Sequence, residues 1–368
     1  MSLLRKFKIV VFLFSLTALV SKAEAGLYGF HAYNPITHEE EILNLKKLPL
    51  SILNYRANMR DNLLMLIKYA KEKNPDFKII AHEGQDLLTK SLWEYDREGY
   101  NRARQHKNAE DSSFLFHDNY QEQEPKRYTA AYDYLNALDA IVLNNIYCGK
   151  GYEGKVTKNH HLGLITIEHC TSEDDLTEAE VKSTLEKRIS YIFSDIDMAF
   201  KTIGNYYQIE DSSKNIYDLK EAQNILFLID DTLYENKEQF VADILKTNYD
   251  IVIIKPLFAN KERFSTEDLQ KLHFKKNGSK RLLIAEMNVS EASPDDYFWL
   301  KDWQIGLPQW LVRKSFSTPN AIIVQFWHSE WKRIISRYFK DILNEGFDGI
   351  FFTGIENYHY FEQQTPLE

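Results

Sequence analysis

Residues Arg281–Ser293 read RLLIAEMNVSEAS. Leu282, Leu283, Ile284 and Ala285 form a short apolar run between polar residues, the pattern of a strand buried on both faces of a parallel sheet. The strand is expected to end near Met287, so Asn288, Val289, Ser290 and Glu291 fall where a barrel strand hands over to its loop, the end at which α/β barrels place their chemistry. Glu291 is the first catalytic candidate on this ground. The competing reading makes it a helix cap or a solvated side chain.

Further runs of the same kind surround this one. Phe77–Ala81, Ala140–Leu143, Leu162–Ile167, Asn224–Ile229, Asp250–Ile254, Ala321–Phe326 and Gly349–Phe352 are short and apolar. Helical spacing marks Arg60–Lys73, Leu176–Ile192 (with Thr177 and Glu180 placed as a capping box), Lys237–Leu245, Ser265–His273 and Glu330–Leu343. Gly26–Tyr33, Leu50–Tyr55 and Gly204–Ile209 read as further short strands. About eight strand–helix alternations predict an α/β fold closed as a (β/α)8 TIM-like barrel. An open doubly wound sheet is the runner-up, and the sequence has neither GxGxxG nor GxxxxGK[ST] to support a nucleotide-binding version of it. Residues 90–127 are polar and aromatic and read as an insertion over one barrel end.

The N terminus is read separately. Arg5, Lys6 and Lys8 precede the apolar run Ile9–Val20, and Ala23-Glu24-Ala25 supplies small residues before Gly26. This predicts a secretory signal peptide over 1–25 and a secreted or periplasmic protein, here taken as a single barrel over 26–368 with halves at 26–209 and 216–361. The run is short of the roughly 20 apolar residues of a membrane span, and an uncleaved anchor is the alternative. No stable span is expected after cleavage. Cleavage removes four basic residues and one acidic residue and takes the formal charge from −9 to −12. So acidic a chain repels nucleic-acid phosphates, and nucleic acid is not an expected partner.

Cys148 and Cys170 are the two cysteines. In an exported protein they read either as a disulfide or as two buried thiols. They cannot make a four-ligand zinc site, and His160-His161 lacks a helical partner, so no metal is expected.

Carboxylates recur at the predicted strand ends: Glu83, Glu168, Asp230, Asp231, Glu291 and Glu356. Barrel closure brings such positions together, and glycoside hydrolysis needs two carboxylates roughly 5–9 Å apart. Glu356, Glu83 and Glu168 are the candidate partners of Glu291. Aromatic residues lie close by, among them Tyr297, Trp299, Trp327 and Tyr358, and flat rings suit sugar faces, although core packing accounts for such residues equally. Lys255 and Asp230 complete the candidate substrate-binding set. Two-carboxylate chemistry requires no cofactor, and none is implied. A GxSxG elbow is absent, and His169 beside Cys170 does not make a spaced thiol–imidazole pair.

The C-terminal motifs carry a resemblance. Asp250–Ile254, Asn277-Gly278 with Lys280-Arg281, Ser290-Glu291-Ala292, Pro308–Leu311, Phe326-Trp327, Trp331, Gly346-Phe347-Asp348-Gly349-Ile350-Phe351, Tyr358 and Phe361 resemble glycoside hydrolase family 114 over roughly 225–361. These are the endo-α-1,4-polygalactosaminidases and their cysteinyl-tRNA-synthetase-related relatives. The resemblance implies a TIM barrel that cleaves an amino-sugar polysaccharide within the chain. In the family the Gly-Phe-Asp-Gly strand lies mid-barrel. Here the chain stops soon after it, and Arg60–Lys73, the strand before Glu83-Gly84, Leu138–Ile141 and Leu164–Cys170 look like the later elements, which implies a circular permutation. Three positions depart from the family: Lys255 and Thr353 stand where relatives typically carry Asp, and Asn144 where they often carry Glu. The implied function is an exported glycosidase with an altered site, and the alternative is a non-catalytic carbohydrate-binding or envelope-associated protein on the same barrel.

Overall fold

The computed structural model describes residues 53–91, 94, 128–149, 162–194, 200–203 and 213–364. The signal segment, the strands expected at 26–33 and 204–209, His160-His161 and nearly all of the insertion at 90–127 lie outside the described residues. Residues 56–358 make one compact unit, and residues 1–55 and 359–368 are grouped in a second, in which Tyr55 packs on Phe361.

Eight parallel strands form the first unit's sheet: β1 (Lys78–His82), β2 (Ala140–Asn144), β3 (Gly163–Cys170), β4 (Ile189–Ser194), β5 (Ile225–Leu228), β6 (Ile251–Ile254), β7 (Leu282–Asn288) and β8 (Gly349–Thr353). Each pairs with its sequence neighbour except β4 with β5, and β8 pairs back onto β1. The strands therefore run in unbroken cyclic order, a TIM-like barrel that is nearly closed. Aromatic packing bridges the seam between β4 and β5. Tyr191 of β4 lies 5.4 Å from Phe227 of β5 and 5.6 Å from Phe200, whose carbonyl accepts from the Asp230 N–H at 2.9 Å.

The N-terminal ends of the strands are tied by a repeated device. Asp139, Asp250 and Asp348 each stand immediately before a strand and accept from a backbone N–H of the neighbouring strand or its lead-in, those of Ile79, Gln223 and Leu283, at 2.7–2.8 Å. Each is matched by a cation or imidazole: Lys71, Lys275 and His273. A carboxylate that accepts from the neighbour's first free N–H fixes the stagger of two parallel strands and satisfies a donor that the ladder leaves over.

The helices follow their local signals. α1 (Tyr55–Lys73) precedes β1, and the short α2 (Tyr132–Ala137) leads into β2. α3 (Glu173–Glu186) starts at Ser172, whose hydroxyl accepts from Asp175 N. α4 (Lys237–Ile244) starts at the Asn236 cap, and α5 (Thr266–Leu272) has a capping box between Ser265 and Asp268. α6 (Ser329–Glu345) buries Trp331, Ile335, Phe339 and Ile342 at helical spacing and ends at Gly346 with φ +98°. α7 (Tyr358–Gln364) follows β8 and a single turn of 3-10 helix.

Four expectations need correction. The strand expected over Leu50–Tyr55 is not one where it is described, since Leu53 and Asn54 are irregular and Tyr55 opens α1. The helix expected over Leu176–Ile192 stops at Glu186, and Ile189–Ser194 is the fourth barrel strand. Lys187 takes the left-handed cap with φ +53° where a glycine would have marked the stop. Thr177 does not cap this helix, since its hydroxyl bonds back to Glu173 O inside it. The run at Ala321–Phe326 is not a barrel strand. Ile322–Val324 lies between Glu291–Ala292 and Leu311–Lys314 in a small antiparallel sheet on the β7–α6 connection.

Candidate functional site

Strand register decides which side chains face the lumen. Phe351 of β8 and Phe227 of β5 sit on strands that are not neighbours, yet their rings are 5.3 Å apart, so both point inward. Bridge partners in a parallel sheet face the same way. Glu286 pairs with Phe351 and Asn288 with Thr353, which places all four inside. Lys255 follows β6 one step after the Ile254–Ala285 pair and is level with Glu286. On the opposite wall the same counting turns His82, Asn144, His169 and Phe193 inward, and His82 Nε2 is 3.1 Å from Asn144 Oδ1. The C-terminal mouth is therefore ringed by polar groups above an aromatic floor.

Glu286 is the central group. The Thr353 hydroxyl donates to its Oε1. Burial pushes its carboxyl above the usual range, the Thr353 hydrogen bond and the Lys255 charge work against that, and the nearby Glu291 charge adds to it. Asp296, on the loop after β7, is pushed up to about 6 by burial, with Lys255 opposing and Glu286 reinforcing the shift. Tyr338 of α6 is raised well above its ordinary value, by burial first and then by Glu286 and Asp296. Across the mouth, burial holds the His82 imidazole below its ordinary value.

Glu291 is buried beside this group and is held by side chains from three segments. Its Oε1 accepts from Ser315 Oγ at 2.6 Å and from Asn357 Nδ2 at 3.1 Å, and its Oε2 accepts from Asn288 Nδ2 at 2.9 Å. Asn288 Oδ1 in turn accepts the Ser290 and Glu291 N–H groups. The arrangement needs Gly354: with φ +73°, a Cβ there would lie 2.2 Å from Asn288 Oδ1.

The other sequence candidates are placed as follows. Glu168 pairs with Ile192 on the outer face of the barrel and accepts the N–H groups of Ile146, Tyr147 and Cys148 at 2.9–3.1 Å. The disulfide Cys148–Cys170 holds the same loop, deciding between the two cysteine readings. Glu83 accepts from Asn144 N and Glu356 from Gly84 N. Burial raises the Glu83 carboxyl and the Glu356 charge adds to that. Burial opposes ionisation of Asp230, but donors from Thr232 and the Lys201 ammonium, 3.2 Å away, bring it below the usual range. Tyr297 is exposed against Phe298 and Tyr338. Trp299 stacks edge-on to Trp303, Trp327 is set against Phe326, and Tyr358 is buried beneath the Arg56 guanidinium.

Sequence reasoning missed Glu286 and Asp296. A usable signal for Glu286 lay inside the strand: an acid between the apolar run Leu282–Ala285 and Met287 needs a reason to be there. Two cavities, of about 940 and 690 Å³, open at the N-terminal ends of the strands instead. In the smaller of the two, His273 is paired with Asp348 and Lys78 with Asp218. The unevenly titrating cluster lies at the mouth.

No family model matches the chain. Proteins similar to it include an uncharacterized protein of Methanocaldococcus jannaschii, 27% identical over 146 residues covering 39% of this chain and 40% of that one. An uncharacterized protein of Thermotoga maritima is 27% identical over 84 residues, 23% of this chain and 26% of its own. One of Deinococcus radiodurans is 30% identical over 78 residues, 21% and 25% respectively. The chain spans less than half the length of these curated relatives.

Proposed function

We propose that the protein is an exported glycoside hydrolase of the family 114 kind, acting within an amino-sugar polysaccharide on a circularly permuted barrel. The observation that carries the reading is the gathering of Glu286, Glu291 and Asp296 with Lys255 on one sector of the C-terminal mouth, where barrels hold their chemistry. Glu291 is one catalytic carboxylate. Lys255, Asp230 and the ring faces of Tyr297, Trp299 and Trp327 contribute to polymer binding. The pairing of β8, which carries the Gly-Phe-Asp-Gly motif, directly with β1 supports the permutation, because β1 then follows in space the strand it would follow in the family's chain order. The Cys148–Cys170 disulfide supports export to an oxidising compartment.

A second reading, a carbohydrate-binding protein without turnover, is favoured by Lys255, Thr353 and Asn144, which face the lumen at positions where the resemblance calls for acids. A reducing-end assay on soluble amino polysaccharides, including a galactosamine polymer, separates the two when run beside Glu291→Gln. Turnover that is lost in the variant supports hydrolysis, and turnover unchanged in it rejects the role of Glu291. Polymer binding with no turnover by the unaltered protein favours the second reading.

A further inference from the structure

We propose that Glu286 is the proton-donating partner of Glu291, supplying from β7 the carboxylate that the resemblance places on β8 at Thr353. This rests on the hydrolase reading and deepens it.

Three observations converge. Register turns Glu286 into the lumen, level with Lys255 and beside Thr353. The Thr353 hydroxyl is spent on Glu286, so the residue that replaces the expected acid holds the acid on the next strand. The remaining candidates are engaged elsewhere: Glu168 is on the outer face of the barrel with three backbone donors, Glu83 accepts from the last N–H of β2 at Asn144, and Glu356 accepts from Gly84 N in the turn after β1. Glu286 and Glu291 also differ in surroundings. Both oxygens of Glu291 accept hydrogen bonds from side-chain donors, whereas Glu286 is half-buried, held by the Thr353 hydroxyl, with its carboxyl shifted upward. Unlike surroundings are how a site divides two neighbouring carboxyl groups into an acid and a base.

In the step, the Glu286 proton passes to the glycosidic oxygen as the bond from that oxygen to the anomeric carbon breaks. A water oxygen bonds to the anomeric carbon, and the water's proton passes to Glu291. Solvent exchange then returns a proton to Glu286 and removes one from Glu291, so one water is consumed and no other reactant is needed. The groups that act on the protonation of Glu286 are Thr353 of β8, Lys255 after β6 and Glu291 on the β7 connection, and Glu286 in turn raises Asp296 on that connection and Tyr338 of α6.

The test compares the unaltered protein with Glu286→Gln on a galactosamine polymer and on a galactosamine oligomer with a dinitrophenyl leaving group, which departs without protonation. The expected result is a loss of roughly 10²-fold or more on the polymer, with polymer binding retained and much of the activity on the dinitrophenyl substrate kept. Thr353→Val removes a donor that favours the ionised carboxylate, so the alkaline limb of the pH profile moves to higher pH. That shift reads the assignment even if Glu286→Gln fails to fold. Full polymer activity in Glu286→Gln, equal losses on both substrates, or an unmoved alkaline limb would overturn the assignment and leave the hydrolase reading standing. An unaltered protein that turns over neither substrate overturns the hydrolase reading and the assignment with it.

Discussion

Lys275 Nζ lies 2.5 Å from Asp250 Oδ1, and both side chains are fully buried beneath β6. Asp250 also accepts the Gln223 N–H, and Lys275 donates to the Lys214 carbonyl, so the pair ties the lead-ins of β5 and β6 to the segment at Lys214. Removing one partner of a buried pair leaves the other charged in a place water does not reach. Lys275→Met is therefore expected to lose roughly 3–5 kcal/mol of stability. Urea unfolding checks this; a loss under about 1 kcal/mol would mean that the site lets water in.

The second tie is pH-dependent. His273 Nε2 is 3.2 Å from Asp348 Oδ2; burial lowers its pKa, but the hydrogen bond and charge of Asp348 outweigh this and raise it overall. A raised folded pKa adds stability that is complete below the unfolded value and is lost as pH rises through the folded one. His273→Gln is therefore expected to be less stable than the unaltered protein at pH 5.5, by up to about 1 kcal/mol, and equal to it at pH 8.5. Denaturant midpoints at the two pH values measure the difference, and a gap of the same size at both would remove the linkage.

Gly354 and Gly346 both have positive φ, but only Gly354 is crowded, with Asn288 Oδ1 2.2 Å from the position of a Cβ. Gly346→Ala should lose only the left-handed backbone term, roughly 1–2 kcal/mol. Gly354→Ala should lose clearly more and displace Asn288 from Glu291. Thermal unfolding of the two variants isolates the contact, and equal losses would place Asn288 elsewhere.

The loop after β2 is held twice, by Glu168 through three N–H groups and by the Cys148–Cys170 bond across a separation of 22 residues. Closing a loop of that size contributes about 3 kcal/mol in the chain-entropy account. Cys148→Ser and Glu168→Gln are each expected to destabilise, and the double variant to lose less than the sum, because a loop already released has less left to lose. Additive losses from the double-variant comparison would show two independent restraints.

The barrel was legible because its strands are buried on both faces: runs such as Ile251–Ile254 and Gly349–Thr353 have no polar alternation to confuse with helix. The same property made Ile322–Val324 indistinguishable from a barrel strand, since composition says nothing about which sheet a run joins. β4 was hidden because Ile189 and Ile192 continue the spacing of α3 and the stop between them is Lys187 rather than glycine. At the site, acids at strand ends were visible, but whether they face the lumen is a matter of register. Glu168 and Glu286 lie at similar depth in their strands and face opposite ways, and only the pairing of β3 with β4 and of β7 with β8 separates them.

Asp296 offers the sharpest test that the mouth is a functional site. Its carboxyl is pushed up to about 6, chiefly by burial, so the folded state binds a proton more tightly than the unfolded state does. The sign is opposite to that of a salt-bridged acid. Above the folded value the ionised group destabilises the fold, and below the unfolded value, near 4, the penalty is gone. Asp296→Asn removes the charge and keeps the shape, so it should be more stable than the unaltered protein at pH 8, by on the order of 2 kcal/mol. The gain should shrink as pH falls through 6 and vanish below about 4. A side chain that lowers stability where it stands is a mark of a site kept for binding or chemistry, so the same variant should bind or cleave an amino polysaccharide less well while being the harder one to unfold. Equal stability of the two proteins at pH 8 would show that Asp296 is solvated and take it out of the cluster.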